Sequence, residues 1–150
     1  MFDTLRTILV PIDFSLAAGT SLHLAANLAK RYNASLHLLH VYQDVFSVLS
    51  MRTFELTEDV VEAGIRRELE AKFDELLQSV PVTVPVTHEL RKGDVAEEIL
   101  DCAAGIQADA IVIATNARSG LEHLFIGSIA QRIVRSAAIP VITCRAGAAD

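Results

Sequence analysis

Cysteine is scarce in this chain. Cys102 and Cys144 stand far apart and form no Cys-x-x-Cys spacing, so a disulfide framework has no basis, and two buried thiols in a reducing cytoplasm is the simplest reading. Positive charge is also short: 13 Lys and Arg face 19 Asp and Glu, a net charge of −6. Binding to nucleic acid relies on basic stripes, so that class of partner is not expected. No apolar run approaches the ~20 residues needed to cross a bilayer. The opening Met1-Phe2-Asp3-Thr4-Leu5-Arg6 has no basic segment followed by a long apolar one, so no secretory signal is expected and the cytoplasm is the expected location. Sequence signatures of common enzymes are missing too. There is no Gly-x-x-x-x-Gly-Lys-Ser/Thr loop, no Gly-x-Gly-x-x-Gly fingerprint and no Gly-x-Ser-x-Gly elbow. The histidines His23, His37, His40, His88 and His123 show no zinc-site spacing and have no cysteine near them in sequence. Structural roles are expected for all five, and no side-chain metal site. No catalytic residue stands out, and no base is evident that would activate a water for phosphate hydrolysis.

What is present reads as one domain over residues 1–150, long enough to bury its own core. Thr7-Ile8-Leu9-Val10-Pro11-Ile12-Asp13 is an apolar run ending in a charge, as in a strand buried on both faces. Ser15 is placed to cap the next helix. Across residues 16–32, Ala18, Leu22, Ala25, Ala29 and Tyr32 recur at steps of three and four, the stripe of an amphipathic helix. Residues 35–41 form a second strand, and residues 43–54, which lack a period, a loop. A helical stripe of Val61, Ile65, Leu69, Phe73, Leu76 and Val80 runs from Glu55 towards Pro81. Val82 to Leu90 reads as a third strand, placed outermost because it contains Pro85. Asp94 and Glu97 resemble a capping box, and Val95, Ile99, Cys102 and Ala103 give the next helical stripe. Ala110 to Ala114 and Val141 to Cys144 are the last strands, with a loop and a helix starting at Gly127-Ser128 between them. Strands alternating with helices imply a parallel sheet covered on both faces, an α/β architecture.

In such sheets ligands bind beyond the carboxyl ends of the strands. Asp13, Val41 and the loop after residue 114 all fall there. A loop of small residues leading into a helix start also offers unpaired N–H groups to an anion. Simpler roles exist for each residue. Asp13 suits the dipole at a helix start. Ser128 with Gln131 reads as a Ser-x-x-Gln capping box, and Gly127 suits a tight turn. Arg118 reads as a solvated loop residue, and Arg132 and Arg135 suit the end of the last helix. The closing strand, Val141 to Cys144 after Pro140, is an apolar sheet edge of the kind that proteins cover.

Three segments together resemble the universal stress protein family: residues 8–15 (Ile-Leu-Val-Pro-Ile-Asp-Phe-Ser), Leu39-His40-Val41, and the stretch from Arg118-Ser119-Gly120 through Gly127-Ser128 to Pro140-Val141. The resemblance covers nearly the whole chain. It implies a three-layer α/β sandwich with a five-stranded parallel sheet of order 3-2-1-4-5, an adenine-nucleotide α-hydrolase-like fold, usually dimeric. One branch of that family binds ATP and another does not. The ATP-binding pattern places two glycines, nine residues and a Gly-Ser pair at positions held here by Ala114, Ala117, Gly127 and Ser128, so alanines replace the first two glycines. By resemblance, Asp13 accepts from the ribose hydroxyls, the Val41 backbone meets adenine, and Pro11 and Ile12 line the pocket. Ala114, Thr115, Asn116 and Ala117 wrap the sugar and phosphates, while Gly127, Ser128 and Ile129 offer N–H groups to the phosphates. Mg2+ would then be held mainly by phosphate oxygens and water. The first expectation is a cytoplasmic homodimer, joined along Pro140, Val141, Ile142, Thr143 and Cys144, that binds ATP as a sensor or regulator of the stress response. A nucleotide-free dimeric module that contacts an unknown regulatory protein is the alternative, and a slow ATPase the third. Neither nucleic acid nor a membrane is an expected partner.

Overall fold

A computed structural model describes residues 4–43, 57–115 and 127–145. Among these, the chain runs β1 (Thr7–Pro11), α1 (Leu16–Tyr32), β2 (Ser35–Tyr42), α2 (Glu58–Ser79), β3 (Val86–Lys92), α3 (Val95–Gly105), β4 (Ala110–Thr115), α4 (Ser128–Ser136) and β5 (Val141–Arg145). The strands form one parallel sheet of order β3-β2-β1-β4-β5, the order that the resemblance implies.

Alternation along the strands builds two cores. Ile8, Val10, Leu36, Leu38, Leu90 and Val112 point to one face, where Leu22, Ala25 and Ala29 of α1 and Leu69 and Phe73 of α2 cover them. Leu9, Leu39, Val41, Ile111 and Ile113 point to the other, under Ala96, Ile99 and Cys102 of α3 and Ala130 and Ile133 of α4. Strands β1 and β4 are apolar at nearly every position because both faces are covered. Each large aliphatic or aromatic side chain buried this way contributes ~1.5–3 kcal/mol.

Turn chemistry sets the element ends. Asn33 takes a left-handed conformation (φ 56°) after α1, and Lys30 and Arg31 complement the negative end of that helix. Thr57 caps α2 through Val60 N–H, and Asp94 caps α3 through Glu97 N–H. Asp109 accepts from the backbone N–H groups of Arg6 and Thr7, at 2.8 and 2.9 Å, and so ties the start of β1 to the start of β4.

Four expectations need correction. The third strand begins at Val86, after Pro85, not at Val82. Pro85 has no N–H to give, and its carbonyl accepts from Leu36 N–H at 2.9 Å, so pairing starts there. Helix α2 starts at Glu58, and residues 55 and 56, like most of the expected loop of residues 43–54, lie outside the described residues. Tyr32 is 46% exposed, because the apolar stripe of α1 ends at Ala29. Ser15 occupies the N-cap position of α1, but its side chain makes no capping bond and turns to Asp13 instead.

Candidate functional site

A cavity of about 520 Å³ opens beyond the carboxyl ends of β1, β2 and β4 and is closed on one side by the start of α4. Strand β1 has β2 on one side and β4 on the other, so this is where chain order reverses in the sheet. Nine of the residues singled out by sequence line it: Pro11, Ile12, Asp13, Val41, Ala114, Thr115, Gly127, Ser128 and Ile129. Asn116 and Ala117 lie outside the described residues, as do Arg118 and His123.

The β1–α1 turn shapes one end. Asp13 is exposed, and its Oδ1 accepts from Ser15 N–H at 2.9 Å and from the Ser15 hydroxyl. Between them Phe14 adopts φ 60°, a left-handed conformation costly for a bulky residue. Ring packing holds it there. Phe14 meets Phe73 edge-on at 4.9 Å and His40 at 4.7 Å. His40 Nδ1 donates to the Ile12 carbonyl at 2.6 Å. Burial pushes the His40 pKa below its ordinary value. The Ile12 carbonyl and Asp13 oppose that shift, and Lys72 adds to it.

The other end is the start of α4. Gly127 is its N-cap, with φ −54° and ψ 153°. Ser128 is therefore the first helical residue rather than the cap, and the expected Ser-x-x-Gln capping box does not form. Gln131 N–H donates instead to the Gly127 carbonyl at 2.9 Å, and Ser128 is exposed. The first N–H groups of a helix have no intrahelical partner, and here they border the cavity. Neither tight-turn geometry nor steric crowding requires glycine at 127: its φ is negative, and a Cβ there would meet no described atom within 4 Å. Ala114 sits in regular strand with φ outside the positive range, so alanine there loses none of a glycine's conformational freedom. Thr115 is buried and donates to the Cys144 carbonyl at 3.2 Å.

Sequence reasoning did not place Ala18, Leu39, Val95, Ile99, Ile113 and Ala130 at the site, where they also form the wall, and assigned His40 only a structural role near the crevice. All are apolar except His40. Ile99 and Val95 carry a helical-stripe signal, but that signal reports a buried face and not which end of the sheet the face covers.

The profile of the universal stress protein family matches residues 4–145. The chain belongs to the universal stress protein family. A universal stress protein of Thermus aquaticus is 32% identical over 142 residues, covering 93% of this chain and 98% of that one. One from Methanocaldococcus jannaschii is 27% identical over 143 residues, covering 93% and 82%. Among solved structures, the universal stress protein UspA of Lactobacillus plantarum superposes with a TM-score of 0.71 at 24% identity, covering 95% of this chain and 99% of that one. A universal stress protein of Archaeoglobus fulgidus solved in complex with dAMP gives 0.62 at 22% identity, covering 92% and 96%. A universal stress protein solved in complex with cAMP gives 0.68 at 16% identity, covering 97% and 100%. Within this family fold, and among the described residues, no helix is long and apolar enough to cross a membrane.

Proposed function

We propose that this universal stress protein binds an adenine nucleotide, ATP in the first instance, in the cavity at the carboxyl ends of β1, β2 and β4, and serves as a sensor or regulator in the stress response. The observation that carries this reading is the pairing of opposite chemistries across one cavity of about 520 Å³. Ile12, Val41, Val95 and Ile113 give an apolar wall suited to a base. Asp13 offers a carboxylate at the ribose end, and the start of α4 offers N–H groups and the Ser128 hydroxyl to phosphates. Gly127 supports the reading, since no crowding and no positive φ calls for a missing side chain there and a closely approaching phosphate does. Structural neighbours in complex with dAMP and cAMP favour an adenine ligand. Mg2+ would be carried in by the phosphates. The protein acts as a homodimer joined along β5.

With no tryptophan and two tyrosines, the chain absorbs weakly at 280 nm, so a copurified nucleotide would dominate the near-ultraviolet spectrum. Titration calorimetry with ATP and Mg2+ is the decisive experiment. Saturable heat at one site per chain and a rise in melting temperature are expected. No heat and no thermal shift at millimolar ATP would favour the nucleotide-free interaction module instead.

A further inference from the structure

Apart from the cavity, on the sheet face covered by α3, side chains from three elements converge. His37 of β2, Glu89 of β3 and Cys102 of α3 bring an imidazole nitrogen, a carboxylate oxygen and a sulfur within 4.8 Å of one another. His37 Nε2 lies 3.1 Å from Glu89 Oε2, and Cys102 Sγ lies 3.8 Å from the same oxygen. Ligands bound to a tetrahedral zinc at ~2.0–2.3 Å stand ~3.3–3.8 Å apart. Two of the three donor separations are close to that range, and all three donors lie within 4.8 Å of one another.

We propose that His37, Glu89 and Cys102 form a binding site for one borderline-soft divalent cation, Zn2+ by ligand preference, with water as fourth ligand. The donor set decides the class of metal. A thiolate with an imidazole and one carboxylate suits Zn2+ or Co2+ and is wrong for Mg2+ or Ca2+, which take oxygen.

The surroundings fit a ligand set. Thr87 Oγ1 lies 2.7 Å from His37 Nδ1 and 3.5 Å from the Leu36 carbonyl. Its hydroxyl serves both tautomers of the ring. It donates to Nδ1 when Nε2–H faces Glu89, and it accepts from Nδ1–H while donating to Leu36 when Nε2 takes a metal. Arg91 Nε holds Glu89 Oε1 at 2.7 Å, which fixes the carboxylate with Oε2 towards the cluster. Glu98, 3.6 Å from Arg91, offsets the guanidinium. Glu89 and Glu98 outweigh Arg91 by one charge, and a thiolate adds a second, so the group balances a divalent cation. Burial, with the Glu89 carboxylate beside it and Arg91 opposing, pushes the Cys102 thiol up to about 11, so without metal it keeps its proton. Binding replaces the S–H bond with an S–metal bond and releases that proton to solvent. The Glu89 and His37 side chains are 35% and 15% exposed, which gives a metal a way in along the β3 edge.

Cobalt titration of the whole chain tests this. One equivalent of Co2+ should give a thiolate-to-cobalt charge-transfer band in the near ultraviolet, with visible bands of tetrahedral intensity, and Zn2+ should abolish both. Cys102→Ala should remove the charge-transfer band, Cys144→Ala should keep it, and His37→Gln should weaken binding at least about tenfold. Absence of the band in excess Co2+, or a band that survives Cys102→Ala, overturns the site. Should Cys102→Ala fail to fold, the His37→Gln variant decides, because unchanged cobalt affinity in it overturns the site equally.

Discussion

Two residues at the cavity carry opposite lessons about what a side chain is for. Gly127 is an N-cap where serine would serve the helix better. Gly127→Ser should therefore raise stability by ~0.3 kcal/mol in a denaturant titration. On the proposed reading the same hydroxymethyl group would stand in the path of the phosphates, so ATP affinity should fall about tenfold, ~1.4 kcal/mol by calorimetry. A variant both more stable and equally tight for ATP would show that the start of α4 is not where the nucleotide sits. His40 works in the reverse direction, as a half-buried polar residue that the fold tolerates while neutral. Its pKa is lower in the folded chain than in the unfolded one, so the unfolded chain takes up the proton first. His40 thus costs stability as pH falls below its ordinary 6.5, down through its lower folded value. Chemical denaturation of His40→Gln across that range should show a shallower loss than the parent, and an identical slope would remove His40 as the cause.

At the scale of elements, most of the architecture was legible because period and punctuation agree. The stripe of Leu22, Ala25 and Ala29, the cap at Asp94 and the apolar run Ile8 to Pro11 of β1 each name their own structure. The departures are also local. Pro85 looked like an interior strand residue because Val82, Val84 and Val86 alternate with it. Val82 and Val84 do pack against the core, but the ladder with β2 starts only after Pro85, which has no N–H to give. Asp109 was legible as a strand boundary but not as a clamp, since its partners at Arg6 and Thr7 lie about a hundred residues away in sequence. Asp109→Ala should leave both donors unpaired and lower stability by ~1–2 kcal/mol in the same assay, with the spectrum of the folded state unchanged. The candidate site was legible where it is made of strand ends and a helix start. It was illegible where it depends on α3 closing over the sheet, which brings in Ile99 and Val95. The same holds for His37, Glu89 and Cys102, which only the β2–β3 register and the docking of α3 bring together.

At the scale of the whole molecule, the sheet has two edges and treats them differently. The β3 edge carries His88 paired with Glu70, Arg91 paired with Glu89 and Lys92 paired with Glu58, and such charged, side-chain-engaged edges resist pairing with another strand. The β5 edge has half-buried Val141, Ile142 and Cys144 and no acidic residue, so it is the edge suited to a second copy across a two-fold axis. Thr143 is exposed at the centre of this strand and takes no part in either core cluster. Thr143→Asp would set two carboxylates against each other near the axis without disturbing the fold. Light scattering at micromolar concentration should give a dimer for the parent and a monomer for the variant, and a parent that is already monomeric would refute the β5 interface. The cavity draws on β1, α1, β2, β4, α3 and α4 of one chain, and β5 reaches it only through its pairing with β4 and the bond from Thr115 to the Cys144 carbonyl. The Thr143→Asp monomer should therefore keep ATP affinity within about threefold of the parent, ~0.7 kcal/mol. A larger loss on dissociation would mean that the second chain completes the site, and the nucleotide would then report on assembly as well as on its own concentration.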